Sequence, residues 1–181
     1  MSLVPKKIFY VKGKGISSDS KLISFEQALR DAGIEKFNLV SVSSIIPPYC
    51  KEVSKFEGLK NLQTGQIVHA VLSKISSNIK NQIICSSIGV AKPLDKGAYG
   101  YLSEIHKRDE KPETLGRLSE TLALEMLATS LGIPLNTKSN FEEKKDLLRI
   151  EGKVVETKNI TEIIVVKEEW ATVLSAAIFI F

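Results

Sequence analysis

Extended segments dominate the sequence, and only two stretches have the period of a helix. Strands are predicted wherever apolar or alternating runs rich in β-branched and aromatic residues end at turn residues; these runs cover 8–11, 38–46, 65–74, 81–91, 97–106, 161–166 and 171–181. Helical spacing of apolar residues occurs over 25–32 and 112–132. This order of elements predicts an α+β or α/β fold whose strands pack into a layered core.

Local signals set the expected ends of these elements. Ser24 is predicted to cap the first helix and Gly33 to end it. Gly13 and Gly15 after the first strand suggest a turn or bulge. A nucleotide-binding loop is disfavoured there because Ser18 stands where a GxGxxG motif needs its third glycine. The polar segment 136–159 is expected to hold a helix and a short strand.

Length and composition predict one domain over residues 1–181. The net charge of +4 comes from lysines dispersed among acids, which argues against a nucleic-acid partner. Cys50 and Cys85 have no metal-ligand spacing and form no disulfide framework, which favours a reducing, cytoplasmic location. The longest apolar run, 171–181, is too short to span a membrane. His69 and His106 have no partner at metal or triad spacing, so no metal is expected.

The stretch NLVSVSSIIPP, residues 38–48, ends a predicted strand in an unusual way. Serine pairs recur at Ser17-Ser18, Ser43-Ser44, Ser76-Ser77 and Ser86-Ser87, so the dipeptide alone carries little meaning. The first and third pairs lie among polar residues, as expected for loops, and the fourth lies within an apolar strand. Only Ser43-Ser44 joins an apolar strand to a double proline, where the chain must leave the sheet abruptly.

A serine hydroxyl held beside the preceding carbonyl can attack its own peptide bond and convert the amide to an ester, and local strain assists this attack. β-Elimination of the ester leaves dehydroalanine, which hydrolyses to a pyruvoyl group and ammonia. The Ser43-Ser44 bond therefore has the chemistry for self-cleavage that creates a ketone at a new N-terminus.

This stretch, with SFEQALRDAGI before it and GAYGYLSEIHK after it, resembles the pyruvoyl-dependent arginine decarboxylases. That family has an acid-bearing helix ending in Ala-Gly-Ile, then Asn-Leu-x-x-x-Ser-Ser-x-x-Pro-Pro, then Gly-x-x-x-Glu. The resemblance runs from about Leu22 to Leu131 and resumes at Thr161. It implies a four-layer αββα sandwich.

The resemblance also implies roles for individual residues. Cleavage between Ser43 and Ser44 would give a β chain of residues 1–43 and an α chain of residues 44–181 that starts with the pyruvoyl cofactor. L-Arginine would form a Schiff base with this ketone and lose CO₂ to give agmatine. Glu104 would return a proton to Cα, a role that needs a raised pKa and hence a half-buried position with Tyr101 or its neighbours nearby. Asn38 would hold the scissile carbonyl and later the pyruvoyl oxygen.

Glu26 departs from the family pattern, which has an aspartate that pairs with the substrate guanidinium. The charge and bidentate geometry survive, but the extra methylene moves the carboxylate inward by about one bond length. The segment 136–159 is longer than the usual connection. The family assembles as trimers with active sites at subunit boundaries, so we expect Glu26 and Ser44 to meet residues of other protomers.

Three alternatives stay open at this stage. Glu26 could select another basic or small amino acid. The chain could be an uncleaved, catalytically silent relative that acts as an oligomeric binding protein. A serine hydrolase using Ser44 and His69 is the third, although the chain lacks a Gly-x-Ser-x-Gly elbow.

Overall fold

The computed structural model describes residues 3–134 and 139–181. This part of the chain forms strands and helices in the order β1 (Lys7–Ser17), α1 (Lys21–Ala32), β2 (Asn38–Ser41), β3 (Ile45–Ile46), β4 (Lys51–Glu52), α2 (Lys55–Lys60), β5 (Ile67–Ser77), β6 (Ile83–Pro93), β7 (Gly100–Arg108), α3 (Pro112–Ser130), α4 (Phe141–Ile150), β8 (Val155–Val165) and β9 (Trp170–Ile180).

The strands form two sheets that lie face to face. One sheet has the order β2-β5-β9-β1-β4, and the other has the order β3-β7-β6-β8. Helices α1 and α2 pack against the first sheet, and α3 and α4 pack against the second. The four-layer αββα sandwich is thereby confirmed.

Apolar side chains fill the spaces between these layers. The central core joins the two sheets and contains Ile8, Ile46, Val71, Ile88, Val90, Leu102, Ala177 and Phe179. A second core lies under α1 around Phe9 and Leu174, and a third lies under α3 and α4 around Leu124 and Leu148. Because burying one such aliphatic or aromatic side chain is worth about 1.5–3 kcal/mol, these cores outweigh the exposed ion pairs of the surface.

The first strand runs through both of its glycines, contrary to the turn or bulge expected there. Gly13 and Gly15 pair with Leu174 and Thr172 of β9, in the middle of the sheet. A Cβ atom on Gly13 would lie 2.3 Å from the carbonyl oxygen of Ala28 in α1. These glycines therefore let the helix lie close to the sheet.

The first helix begins earlier than predicted. Ser20 is its N-cap and accepts a hydrogen bond from the N–H of Ile23. Ser24 lies inside the helix, where its buried hydroxyl is 2.7 Å from the hydroxyl of Thr172 on β9. Gly33 ends the helix with a φ of 75°, as predicted. The prediction of a helix in this region is therefore confirmed, but the predicted N-cap is wrong, since Ser20 and not Ser24 caps the helix.

The polar segment 136–159 contains α4 and the first part of a long strand, and its residues 136–138 lie outside the described residues. A capping box between Asn140 and Glu143 starts α4. The buried ammonium of Lys144 donates to the carboxylate of Glu125 on α3 at 2.7 Å. This segment therefore extends the outer helical layer. Helix α2 was not among the elements predicted from the sequence.

Candidate active site

The chain changes sheets at the serine pair. Strand β2 lies parallel to β5, and the N–H of Val42 still donates to Ala70 of β5 at 3.0 Å. Strand β3 pairs with β7 in the other sheet, and the N–H of Leu102 donates to the carbonyl of Ser44 at 2.7 Å. The Ser43-Ser44 peptide bond therefore lies in the crossover between the two sheets. Ser43 is exposed.

Strand β7 brings a carboxylate to this crossover. Leu102 is buried in the central core, so Glu104, two residues further along, lies on the same face of the strand. The hydroxyl of Ser44 donates to Oε2 of Glu104 at 3.3 Å. The backbone bond at Leu102 fixes the register that makes this contact. The structure thus brings together two of the predicted site residues, Ser44 and Glu104.

The surroundings of Glu104 differ from those expected. Glu104 is exposed in the single chain, and Tyr101 lies on the opposite face of β7, where it packs beside Tyr99 against the core under α3. One chain therefore does not supply the half-buried position predicted for the proton donor. An alternating strand can place only every second residue beside Glu104.

The other serine pairs have structural partners. The hydroxyl of Ser76 contacts Thr172 at 2.7 Å, and that of Ser86 contacts Ser175 at 3.1 Å. Ser76 and Ser77 end β5, so the expectation that this pair lies in a loop is wrong. Ser17 ends β1, and its hydroxyl accepts a hydrogen bond from the N–H of Asp19. Ser44 differs because its hydroxyl meets a carboxylate from a distant strand at a sheet crossover.

Asn38 lies at the opposite end of β2 from the serine pair. Its side-chain amide donates to the carbonyl of Gly65 at 2.8 Å, and its backbone N–H donates to the carbonyl of Gln66 at 2.9 Å. About 16 Å of extended chain separates Asn38 from Ser43. Within one chain the structure does not bring the amide to the scissile bond.

Glu26 lies on α1, outside the five-stranded sheet, and thus away from Ser44 in the same chain. Its Oε1 accepts a hydrogen bond from Nε of Arg30, one helical turn later, at 2.5 Å. This bond and the carboxylate charge raise the pKa of the Arg30 guanidinium. No role was predicted for Arg30 from the sequence.

A basic groove between α1, β5 and β7 was not predicted from the sequence. It has a volume of about 530 Å³ and is lined by Lys21, Leu22, Phe25, Lys74, Ile75, Ser76, His106 and Arg108. The ammonium of Lys74 lies 4.0 Å from the centre of the Phe25 ring. His106 and Arg108 bring the end of β7 to this groove, two and four residues beyond Glu104.

The histidines do not complete a triad with Ser44. The ring of His69 packs edge-on against Phe181 with centroids 5.1 Å apart. The hydroxyl of Ser44 is instead bonded to Glu104. Among residues 3–134 and 139–181, no group of three His, Cys, Asp or Glu side chains is arranged to hold a metal ion.

Both cysteines are free and buried. Burial raises the pKa of the Cys50 thiol and of the Cys85 thiol to about 11, so both are protonated near neutral pH. Over the same described ranges, no helix is long and apolar enough to cross a membrane.

Comparison with known proteins agrees with this geometry. Residues 7–181 match the family described as pyruvoyl-dependent arginine decarboxylase. The chain belongs to this family. A probable pyruvoyl-dependent arginine decarboxylase of Chloroherpeton thalassium is 48% identical over 99% of the chain and 100% of its own length. A pyruvoyl-dependent arginine decarboxylase of Methanococcoides burtonii is 45% identical over 98% of the chain and 99% of its own length.

Membership in the pyruvoyl-dependent arginine decarboxylase family confirms the main predictions made from the sequence. The chain is an enzyme, a decarboxylase that acts on a small molecule, L-arginine, and its cofactor is a covalent pyruvoyl group. The residues at the crossover fit this group. A pyruvoyl group has the carbon skeleton of serine, and the Ser44 hydroxyl donates to a carboxylate directly after the exposed Ser43.

Proposed function

We propose that the chain, a single domain over residues 1–181, cuts itself between Ser43 and Ser44 and then converts L-arginine to agmatine and CO₂. The contact between the Ser44 hydroxyl and Glu104 at the sheet crossover carries this proposal. Supporting it, the Ser43 carbonyl accepts no backbone hydrogen bond within the described ranges, so it is not held in either sheet.

The proposed cleavage has three steps: formation of an ester, elimination and hydrolysis. The hydroxyl oxygen of Ser44 attacks the carbonyl carbon of Ser43, the peptide C–N bond breaks, and an ester links the two residues. Loss of the Ser44 Cα proton then breaks the bond between Cβ and the ester oxygen, which leaves as the carboxylate of Ser43. Water replaces nitrogen at the dehydroalanine, and ammonia departs. Residues 1–43 become the β chain, and residues 44–181 become the α chain.

A pyruvoyl group formed from Ser44 would supply the electron sink that decarboxylation of the substrate needs. In the proposal, Glu104 delivers a proton to the substrate Cα, because its carboxylate already lies beside Ser44. A carboxyl group donates a proton efficiently near neutral pH only when its surroundings favour the neutral form. Glu104 is exposed in the single chain, so a neighbouring subunit has to cover it.

We therefore propose that the enzyme is a trimer of αβ units with its sites at subunit boundaries. Glu26, on α1, would bind the substrate guanidinium at the Ser44–Glu104 contact of a neighbouring protomer. Asn38 would likewise act on a neighbouring processing site, since β2 separates it from Ser43 of its own chain. The two free, buried thiols favour a reducing compartment, and we propose a cytoplasmic location.

The test combines mass analysis with an activity assay of purified protein. We expect two fragments that divide after Ser43, with the larger one lighter by one ammonia than a fragment that begins with serine. Labelled CO₂ should be released from L-arginine faster than from L-lysine or L-ornithine. A stable, uncut chain, or preference for another amino acid, would refute the proposal.

A further inference from the structure

Glu26, the carboxylate that we propose to bind the substrate side chain, is already paired with the guanidinium of Arg30 on the same helix. Nε of Arg30 lies 2.5 Å from Oε1 of Glu26. The Glu26 side chain is 39% exposed and the Arg30 side chain is 68% exposed, so both are accessible in the single chain. Glutamate one turn before arginine is the favourable order for such a pair.

The side chain of Arg30 is chemically the same as that of the substrate. A substrate guanidinium binds a carboxylate most strongly through two parallel hydrogen bonds that use both oxygens. In the structure Arg30 uses one of those oxygens, and its positive charge neutralises Glu26. A second cation is therefore attracted less strongly than it would be by a free carboxylate.

We propose that Arg30 is an internal competitor of the substrate and thereby sets the affinity of the site for cationic amino acids. This inference rests on the proposed role of Glu26. Arg30 weakens substrate binding without blocking it, because an exposed pair one helical turn apart is weak and easily opened.

The test replaces Arg30 by methionine, which keeps an unbranched side chain but removes the charge. We expect KM for L-arginine to fall by about 1.5-fold to 5-fold, with kcat and self-cleavage unchanged. The inhibition constant of L-citrulline, which carries a neutral urea in place of the guanidinium, should not change. Arg30→Lys keeps the charge and should leave KM near that of the wild type.

Lys80→Met is the matched control, since it removes the cation of another exposed pair, that with Glu168. Lys80→Met should change neither KM for L-arginine nor the inhibition constant of L-citrulline. If wild-type protein decarboxylates L-arginine but KM of Arg30→Met is unchanged or higher, the competitor role is wrong while the proposed function stands. If the wild type does not act on L-arginine, the proposed function fails, and the role of Arg30 fails with it.

Discussion

The hydroxyl of Ser44 lies 3.3 Å from the carboxylate of Glu104, a residue sixty positions away on another strand. The contact exists because β3 pairs with β7 directly after the serine pair. The residue proposed to start the self-cleavage and the residue proposed to return the proton are thus held together in the uncut chain. The pairing register of β3 with β7 therefore positions the residues for both proposed steps, self-cleavage and protonation of the substrate Cα.

Replacing Ser44 by alanine should abolish both self-cleavage and decarboxylation, because no hydroxyl remains to attack the Ser43 carbonyl. A denaturing gel and intact mass would show a single chain. Ser18→Ala changes an exposed serine of another pair and should be cut like the wild type. Two fragments from Ser44→Ala would contradict the assigned cleavage site.

Replacing Glu104 by glutamine should separate the two proposed steps. The amide oxygen can still accept the hydrogen bond from Ser44, so cleavage should proceed. Without an acid to protonate Cα, kcat should fall by about 10²–10⁴. Glu113→Gln, on the exposed start of α3, is the control and should retain full activity. If Glu104→Gln kept the full kcat, the proposed role of Glu104 as the proton donor would be wrong.

Mixing two inactive variants should restore activity if each site is shared between protomers. Ser44→Ala chains supply an intact Glu26, and Glu26→Ala chains supply an intact Ser44. Co-expression of differently tagged chains, followed by purification of the mixed trimer, should therefore recover decarboxylation. Size-exclusion chromatography with light scattering would report the assembly. A mixed trimer without activity would indicate that each protomer is self-sufficient in these residues.

Adding a methyl group at Gly13 should destabilise the fold. The new Cβ would lie 2.3 Å from the backbone oxygen of Ala28, so α1 would have to move from the sheet. We expect Gly13→Ala to lose about 1–3 kcal/mol of unfolding free energy or more. Gly97→Ala should change it by less than about 0.5 kcal/mol, since that position is exposed. Urea titration of both variants in the Ser44→Ala background would measure this.

Alkaline pH should destabilise the protein through its thiols. Burial raises the pKa of Cys50 and Cys85 to about 11, whereas thiols in the unfolded chain ionise near about 8.5. The stabilising effect is therefore complete below about pH 8.5 and is lost as the pH rises towards 11. Urea midpoints between pH 7.5 and 10.5 should fall, and less steeply in Cys85→Ala. At pH 8, a thiol reagent should react slowly until the protein is unfolded.

Patterns within single segments predicted much of this fold. The alternation in GAYGYLSEIH located β7 and placed Leu102 and Glu104 on one face. The double proline follows β3, but the chain leaves its first sheet earlier, between Val42 and Ser44. The single strand predicted over 38–46 is therefore wrong, because its residues are divided between two sheets. Resemblance to the family supplied what periodicity does not contain, namely the number of layers and the choice of Glu104 as a site residue. The hydrogen bond between Ser44 and Glu104 was seen only in the structure.

Features that depend on contacts between distant segments were missed. Gly13 and Gly15 have the local signature of a turn, and only the position of α1 explains them. Ser24 was predicted as the helix cap, but it lies inside the helix, where its hydroxyl contacts that of Thr172 on a distant strand. The ion pair between Glu26 and Arg30 was recognised only from the positions of the two side chains in the structure. Asn38 fits the family motif, yet its own chain uses the amide at Gly65.

The position of the crossover determines what cleavage does to folding. Residues 1–43 contain β1, which pairs with β9 along its whole length and also with β4, together with α1 and β2. Cutting after Ser43 would leave these contacts intact, so the small chain would stay bound within a sheet of the large one. Complete unfolding would then release two separate chains, and refolding would become a bimolecular reaction. The stability of the mature enzyme should depend on protein concentration, whereas that of its uncut precursor protomer should not.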